Sequence, residues 1–352
     1  MKILSLVLLA LVPVFGHLVL GRHSRSEHVH GRVTTMVTDD GDVVDCVDIY
    51  KQSTLTNPLL SDHVLQRKPS WVNESHSNAQ PDGPYKACPE NTVPVPRITA
   101  NPTGNFNSSD QHRVDVALTG QHRWVYYGIG AELNVYDLSV APGQFSSHNL
   151  WVESYINENY SMILVGWRAD PYLFQDSKSR LFTYWTGKNF NNGCYNTLCD
   201  GYVQVDNVFY PGMVLQPTSI YGGNQYIIRL DVVQDRDTHL WWLMVGNNRP
   251  VGYWPKEFLP GLQGGATVLA WGGLARAGGD GICPPLGNGH FPDASNQAMY
   301  IRSLQFIDNL NNIRSTSEMI LESIVDKSGC YGLNLVPDSA IVYLGGPGGC
   351  RC

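Results

Sequence analysis

The sequence predicts an all-β protein built as an antiparallel β-sandwich, and two observations carry that prediction. Short apolar or alternating runs recur between turns rich in Gly, Pro and Asn, and strands spaced in this way are typical of sandwiches and barrels. Charged residues make up only 16 % of the chain, whereas Gly, Pro, Tyr and Trp are plentiful. This composition favours strands and turns over long exposed helices.

Ten runs are predicted to be strands, and two further segments are predicted to be helical. The strands are Trp124–Ile129, Leu133–Leu138, Met162–Trp167, Leu181–Thr186, Gly201–Val205, Gln225–Val232, Leu240–Val245, Ala266–Trp271, Ala298–Ile307 and Ala340–Leu344. One predicted helix is Pro255–Leu262. The other begins at Ser315, where Glu318 fits a capping box before Met319.

The N-terminus has the pattern of a secretory signal. Lys2 precedes the almost wholly apolar run Ile3–Phe15, and the polar segment Arg22–Arg25 follows soon after. Because a membrane span needs about 20 apolar residues, a retained anchor is the less favoured alternative. We therefore expect residues 1–21 to be removed and the mature chain to be secreted to the extracellular space, with no membrane segment.

Composition also suggests how the mature chain is divided. Residues from Ser75 to about Asp110 are rich in Pro, Asn, Ser and Gly, a linker composition with little capacity to bury a core. We expect a small N-terminal domain and linker over residues 22–111 and a main domain over residues 112–352. The stretch with His23, His28 and His30 lacks an anchoring carboxylate or Cys, so it is expected to be solvated rather than metal-bound.

Eight cysteines and three glycosylation sequons fit a secreted chain. Cys194 and Cys199 enclose a loop of four residues and are the favoured local disulfide. Cys46 and Cys88 both lie in the N-terminal region and can pair within it. Three pairings remain open for the other four cysteines, with metal binding by the C-terminal Cys-Arg-Cys as a further alternative. These four are Cys283, Cys330, Cys350 and Cys352, and the sequons begin at Asn73, Asn107 and Asn159.

Several segments together resemble the neprosin family of secreted plant proteins, whose best-known members are glutamic peptidases that cleave after proline. The segments are Asp45–Gln52, Thr183–Thr186, Gly193–Asn196 with Cys199, Gly252–Pro255, Trp271–Gly273, Gly287–Pro292, Cys330-Tyr331 and Leu344–Gly348. Their order and spacing resemble the family from about residue 35 to the end. The resemblance implies a sandwich of bent sheets with a cleft, an N-terminal propeptide domain, and a disulfide from Cys330 to the C-terminal tail.

The resemblance also implies where catalytic acids would stand, and this chain departs from the family there. In Ile163–Trp167 and Trp271–Leu274 the family carries a glutamate where this sequence has Leu164 and Leu274. Strand alternation places Leu164 on one face with Met162, opposite Ile163 and Val165. A leucine can neither carry a proton nor align a water molecule, so we expect no catalytic residue and an inactive peptidase fold.

An active acid peptidase that uses other carboxylates is the alternative. Glu132, Glu153, Asp170 and Asp206 lie on or near strands, but each is expected to be a solvated surface acid. The local motifs of serine hydrolases, zinc peptidases and phosphate-binding loops are absent from the sequence. The net charge of −7 argues against a nucleic-acid partner. We expect no cofactor and no metal.

Tryptophan and tyrosine keep a binding role open. Most tryptophans are expected in the core, but one or two lining a cleft would stack on proline or on a sugar ring. Expected partners are therefore proline-rich peptides or proteins, or cell-wall glycans. The candidate cleft residues are Tyr184, Trp185, Tyr195, Trp254 and Trp271.

Overall fold

A computed structural model describes residues 30–72, 85–98, 110–119, 124–156, 159–246, 248–293 and 297–352. The predicted signal over residues 1–21 lies outside these ranges, as do His23, His28 and the sequon residues Asn73 and Asn107. Asn159 begins a strand and is partly exposed. Within the described ranges, no helix has the length and apolar character needed to cross a membrane.

The N-terminal part forms a small antiparallel sheet of three strands, β1 (Arg32–Val37), β2 (Val43–Asp48) and β3 (Thr92–Pro96), in the order β1–β2–β3. The linker composition of residues from Ser75 to about Asp110 predicts little capacity to bury a core, yet β3 within it is buried throughout. Its two prolines are compatible with a strand because β3 has only β2 as a neighbour, and an edge strand tolerates missing N–H donors.

The remaining strands form two sheets, which confirms the predicted antiparallel sandwich. The first sheet has seven strands in the order β17–β4–β14–β6–β7–β8–β9. They are β4 (Gln111–Thr119), β6 (Phe145–Ile156), β7 (Asn159–Ala169), β8 (Arg180–Gly187), β9 (Asn192–Tyr195), β14 (Val268–Arg276) and β17 (Glu322–Val325).

The second sheet has nine described strands, in the order β10–β13–β12–β11–β5–β15–β19–β18 with β16 paired to β15. They are β5 (Gly128–Asn134), β10 (Val203–Gln204), β11 (Ile227–Gln234), β12 (Trp241–Val245), β13 (Arg249–Trp254), β15 (Tyr300–Ile307), β16 (Ile313–Ser315), β18 (Gly332–Val336) and β19 (Ile341–Gly345).

The main core lies between these two sheets and is tied together by two indoles. Trp167 on β7 and Trp271 on β14 are both fully buried. Trp167 Nε1 donates to the carbonyl oxygen of Asn134 at 3.1 Å, and Trp271 Nε1 donates to that of Gly130 at 3.2 Å. Because both acceptors belong to β5, each tryptophan fills the core and also fixes the position of one sheet over the other.

The two predicted helices do not form. Within Pro255–Leu262 only Pro260–Leu262 is a 3₁₀ turn, and after Ser315 only Thr316–Glu318 is. The Ser315 hydroxyl does cap its turn, by accepting from the Ser317 N–H at 3.2 Å, but the next segment is needed as edge strand β17. The described residues contain one short α-helix, α1 (Pro171–Phe174).

The eight cysteines form four disulfides. Cys194 is bonded to Cys199, the pairing that the short spacing favours, and Cys46 is bonded to Cys88 within the N-terminal region. The open question at the C-terminus is resolved as Cys283–Cys352 and Cys330–Cys350. Both cysteines of the Cys-Arg-Cys segment are therefore held in disulfides rather than available as thiolate metal ligands.

Candidate functional site

The candidate site is the outer face of the seven-stranded sheet, which points away from the core between the sheets. Leu164 on β7 pairs with Trp151 on β6, and Leu274 on β14 pairs with Ser147 on β6. Both leucines belong to one apolar cluster on this face, whereas Ile163 belongs to the main core. The two leucines are 2 % and 8 % exposed, so this face is covered.

Asn149 lies between the two leucines on the same face. It is two residues from Trp151 and two from Ser147 on β6, which makes it the diagonal neighbour of both leucines. Diagonal neighbours in a sheet have Cα atoms about 7–8 Å apart, within reach of long side chains. Two glutamates in place of Leu164 and Leu274 would therefore bring their carboxyl groups beside the Asn149 amide.

The amide of Asn149 is buried and only half satisfied. Its Nδ2 donates to Ser147 Oγ at 2.9 Å, and Ser147 Oγ donates to the carbonyl oxygen of Leu274 at 3.1 Å. Asn149 is fully buried, and its Oδ1 accepts no hydrogen bond from any described residue. A buried acceptor without a donor is destabilising by about 1–3 kcal/mol, so this oxygen is the natural point of attachment for a ligand N–H or a water.

Two glycines keep the space beside Asn149 free of side chains. Gly272 on β14 and Gly166 on β7 both pair with Asn149. A Cβ at Gly166 would overlap the carbonyl oxygen of His148, and one at Gly272 would overlap Asp115. Any residue with a side chain would push the strands apart at these two points, so the notch around the amide depends on glycine.

Arg168 places a buried positive charge next to this notch. It pairs with Ser147 across β6, so it too is a diagonal neighbour of Asn149. Its guanidinium carbon lies 3.9 Å from the ring centroid of Phe145 and 3.7 Å from that of Phe182. Nε and Nη1 of Arg168 have no hydrogen-bond partner within the described part of the chain. The guanidinium is thus sandwiched by two rings and has N–H groups to spare.

The charge of Arg168 is balanced only loosely. Its Nη1 is 3.6 Å from Asp170 Oδ2, too long for a hydrogen bond. Burial lowers the pKa of Arg168, Asp170 and the Tyr195 hydroxyl raise it, and the nearby Arg276 lowers it further. An arginine remains protonated in proteins in spite of such effects. This end of the outer face therefore carries a buried cation whose donors are incompletely used.

Asp170 is occupied by a local role as well. Its Oδ1 accepts from the backbone N–H groups of Tyr172 and Leu173 at 3.2 and 3.1 Å and so caps α1. Burial raises the pKa of Asp170, while Arg168 and the two N–H groups lower it. The expectation that Asp170 is a solvated surface acid is wrong, because capping α1 draws it into the protein.

A second charged group on the outer face joins β4 to β6. Arg113 Nε donates to Asp115 at 2.8 Å, and Arg113 Nη1 donates to Glu153 at 3.2 Å. The Tyr160 hydroxyl also donates to Glu153, at 3.0 Å. Burial raises the pKa of Asp115, and Arg113 opposes this. Glu153, expected to be a solvated acid, is instead part of this network because the long Arg113 side chain extends over the Trp151 ring to reach it.

Two carboxylates therefore do approach each other on the outer face, but with a guanidinium between them. A pair that shares a proton needs like charges in direct contact. Arg113 instead donates to both acids, and their presence raises the pKa of Arg113 itself against the effect of burial. The guanidinium separates the two acids, so they do not form a pair of this kind.

The remaining predicted acids lie elsewhere. Glu132 on β5 forms an ion pair with Arg302 at 2.7 Å on the nine-stranded sheet. Asp206 is buried, contrary to expectation, because it binds Arg249 and accepts from the N–H groups of Val208 and Phe209. Neither belongs to the apolar cluster around the two leucines.

The structure divides the five aromatic candidates between the two faces. Tyr184 and Tyr195 pack against the outer-face cluster, with ring centroids 4.7 Å apart. Trp185, Trp254 and Trp271 are in the core between the sheets, so their proposed place in a cleft is wrong. The physical reason is alternation: Trp185 follows Tyr184 directly on β8 and must point the other way.

Several side chains cover the outer face. Leu173 and Phe174 of α1 belong to its cluster, and Leu198, from the loop closed by the Cys194–Cys199 disulfide, packs against it. Ile98, just after β3, packs against the same cluster. The N-terminal part is also bonded to the main sheets, for example through the ion pair between Asp42 and Arg180 at 2.5 Å. A ligand reaches the notch only if part of this cover moves.

Sequence reasoning missed Asn149, Arg168 and the pair Arg113–Asp115. Asn149 lies on β6, a strand whose start, Ser146–Asn149, is polar yet buried. The one available signal was Arg168-Ala-Asp170, two charges one residue apart directly after a predicted strand. Such a spacing puts both on one face.

Two family models and one solved structure are similar to parts of this chain. The family model described as Neprosin matches residues 142–347, more than half of the chain, and the model described as Neprosin activation peptide matches residues 35–113. A crystal structure of Scytalido-glutamic peptidase with a peptide-based transition state analog is similar over 67 % of this chain and 98 % of its own, with 9 % identity and a TM-score of 0.35.

Proposed function

Since the chain belongs to the Neprosin family, we propose that it is a secreted protein with the glutamic endopeptidase fold that has lost peptidase activity and binds peptides on its outer face. Proline-rich peptides or proteins and cell-wall glycans are the expected partners, because aromatic side chains would stack on proline or on a sugar ring. The observation that carries the proposal is the pair Leu164 and Leu274 at the two positions where the family holds its glutamates.

The chemistry of water attack supports the loss of activity. One group must take a proton from water, and a second must donate a proton or stabilise the oxyanion. Leu164 and Leu274 offer neither, and Asn149 between them carries no titratable proton. Each acid or base contributes about 10² to 10⁴ in rate, so removal of both leaves no useful turnover.

The same features support binding. Asn149 Oδ1 and two nitrogens of Arg168 are buried and have no hydrogen-bond partner among the described residues. They lie beside aromatic rings on a face covered by α1 and neighbouring loops. Sites that combine apolar walls with a few placed polar groups are typical of ligand binding. The signal-like N-terminus and the sequons support secretion, and the match to an activation peptide supports a propeptide role for the N-terminal part.

One observation favours a second candidate function, an acid endopeptidase that uses other carboxylates. Asp115 and Glu153 share Arg113, and Asp115 Oδ1 accepts no hydrogen bond from the described residues. If Arg113 were displaced by substrate, these two acids would be left to share a proton. The bound Arg113 makes this candidate the weaker one.

An activity assay separates the two candidates. The full chain, with and without acid treatment, is incubated with a fluorogenic peptide that contains proline, from strongly acidic to neutral pH. We expect no cleavage at any pH. Cleavage that disappears in Asp115→Asn or Glu153→Gln, but persists in the control Glu132→Gln on the other sheet, would replace our proposal with the second candidate.

A further inference from the structure

Arg168 and Asn149 form a matched pair of unused donors and acceptors on the outer face. Arg168 has a side chain only 3 % exposed, and its Nε and Nη1 find no hydrogen-bond partner in the described residues. Asn149 contributes the opposite, a buried acceptor oxygen without a donor in the same set. The two are diagonal neighbours across β6 and β7, and diagonal side chains of this length are within reach of each other.

We propose that this site binds the free C-terminus of a peptide, with the α-carboxylate on Arg168 and the N–H of the last residue donating to Asn149 Oδ1. The inference rests on the proposed peptide-binding function and names its ligand class. A guanidinium matches a carboxylate in charge and in planar geometry. In a peptide the terminal carboxylate and the N–H of the same residue are separated by a single carbon. One residue can therefore contact two side chains that are diagonal neighbours in a sheet.

The leucines are part of this specificity. A glutamate at position 164 or 274 would place a second carboxylate beside the notch, where it would compete for Arg168 and repel an anionic ligand. Leucine removes that repulsion and leaves Asp170, 3.6 Å from Nη1, as the only acid in an ion pair with Arg168 in the described structure. Loss of the acid pair and acceptance of a carboxylate ligand are thus consistent.

The walls of the site favour an apolar last side chain. Phe182 and Phe145 hold the guanidinium between their rings, and Tyr184 and Tyr195 continue the aromatic surface along β8 and β9. Phenylalanine as the last residue fits these aromatic surroundings and has the N–H that donates to Asn149. A last residue of proline has no N–H and leaves Asn149 unpaired.

Ile98 decides how the ligand gains access. It packs against the outer-face cluster from the N-terminal part, so a ligand must displace it or wait for it to move. We therefore expect slow association in the full chain. The substitution Ile98→Ala should speed association without changing which peptide is preferred.

The test compares three N-acetylated tripeptides by tryptophan fluorescence and calorimetry with the full chain. They are Ala-Ala-Phe with a free carboxylate, the same peptide as its C-terminal amide, and Ala-Ala-Pro with a free carboxylate. Because hydrogen bonds to charged groups are strong, we expect the free acid to bind about tenfold or more tightly than the amide. The proline peptide should bind more weakly than the phenylalanine acid.

Two variants assign the effect to the site. Arg168→Gln should abolish the difference between acid and amide, whereas the control Arg302→Gln, which removes an arginine from the other sheet, should preserve it. If Arg168→Gln fails to fold, the double change Leu164→Glu with Leu274→Glu tests the same point, since it should weaken the acid at neutral pH and not the amide.

The outcomes are distinguishable. Equal affinity for acid and amide overturns the carboxylate site and leaves peptide binding in place. If neither the wild type nor Ile98→Ala binds any of the three peptides, both this inference and the proposed function are overturned. An acid preference that survives Arg168→Gln overturns the assignment to Arg168.

Discussion

His148 should make this protein sensitive to acid, and its replacement should remove that sensitivity. His148 lies on β6, with its side chain on the face opposite to Asn149 and its ring centroid 4.7 Å from that of Trp167. It is fully buried, and neither ring nitrogen has a hydrogen-bond partner among the residues described. Burial lowers the pKa of His148 from 6.5 to about 3.

The sign of the effect follows from which state binds the proton. Between pH 6.5 and pH 3 the unfolded chain protonates this histidine and the folded chain does not. The free energy of unfolding is therefore unaffected by His148 above pH 6.5 and falls as the pH drops toward 3. At 1.36 kcal/mol per pKa unit the loss reaches about 5 kcal/mol at the lower limit, and it is about 2.5 kcal/mol near pH 4.5.

The variant His148→Leu has a similar volume and no proton to bind. Urea unfolding followed by tryptophan fluorescence at neutral pH and near pH 4.5 gives two free energies of unfolding for each protein. We expect the fall between the two conditions to be smaller by about 2.5 kcal/mol in the variant. The control His290→Gln alters an exposed ring stacked on Tyr221.

Buried acids with raised pKa values, such as Asp115, contribute to both proteins and cancel in this difference. Equal acid losses in the wild type and in His148→Leu would refute the reasoning, because they would mean that His148 can be protonated in the folded state. A smaller loss in His290→Gln would assign the effect to surface charge instead.

Three further predictions concern the outer face and the disulfides. The double change Leu164→Glu with Leu274→Glu should lower the free energy of unfolding by a few kcal/mol at neutral pH and by less at acidic pH. The reason is that it buries two carboxylates that are neutral only in acid. Urea unfolding at both pH values checks this, and a larger loss of stability in acid would contradict it. Asp170→Ala should destabilise the protein by about 2–4 kcal/mol, because it removes the cap of α1 and leaves Arg168 without its only ion pair in the described structure. The midpoint of thermal unfolding measures this loss of stability. Asp176→Ala, which changes a partly exposed acid, is the comparison. Mass spectrometry of a non-reduced digest should recover Cys194 linked to Cys199 and Cys283 linked to Cys352, and free thiols at these positions would contradict the pairing.

Much of the sandwich was predictable because its strands are marked by patterns among residues that are neighbours in sequence. Met162–Trp167 and Ala266–Trp271 are apolar runs bounded by turns, and the structure places them in β7 and β14. The face on which Leu164 lies also follows from period-two alternation alone. These features depend on neighbours in sequence, which is the information that a single sequence carries best.

The central strand β6 escaped prediction because it breaks the usual rule for buried strands. Ser146, Ser147, His148 and Asn149 are all fully buried, although polar residues normally mark exposed positions. The neighbouring strands β14 and β7 satisfy the backbone groups of β6, whereas Asn149 Oδ1 and both ring nitrogens of His148 have no partner among the described residues. Only the tertiary structure shows that Ser147 and Asn149 of this polar run form the floor of the site, while His148 packs against Trp167 on the other face.

The same limit applies to charge pairing. Arg113 is 40 residues from Glu153 in sequence, yet their side chains meet across β14. The sequence predicted Glu153 to be a solvated surface acid because it shows no partner nearby. Only the order of strands in the sheet brings Arg113 within reach of Glu153. The error for Trp185 was different, since alternation next to Tyr184 already placed it in the core.

The charges on the outer face explain why its two leucines are compatible with buried arginines. Three of the cations and three of the acids on this face compensate one another. They are Arg113, Arg168 and Arg276 against Asp115, Glu153 and Asp170. Two further glutamates would add two negative charges in a buried setting, which burial would oppose by raising their pKa values. With leucine at both positions no such charge is added, and the N–H groups of Arg168 that lack a partner in the described structure remain available to an incoming anion.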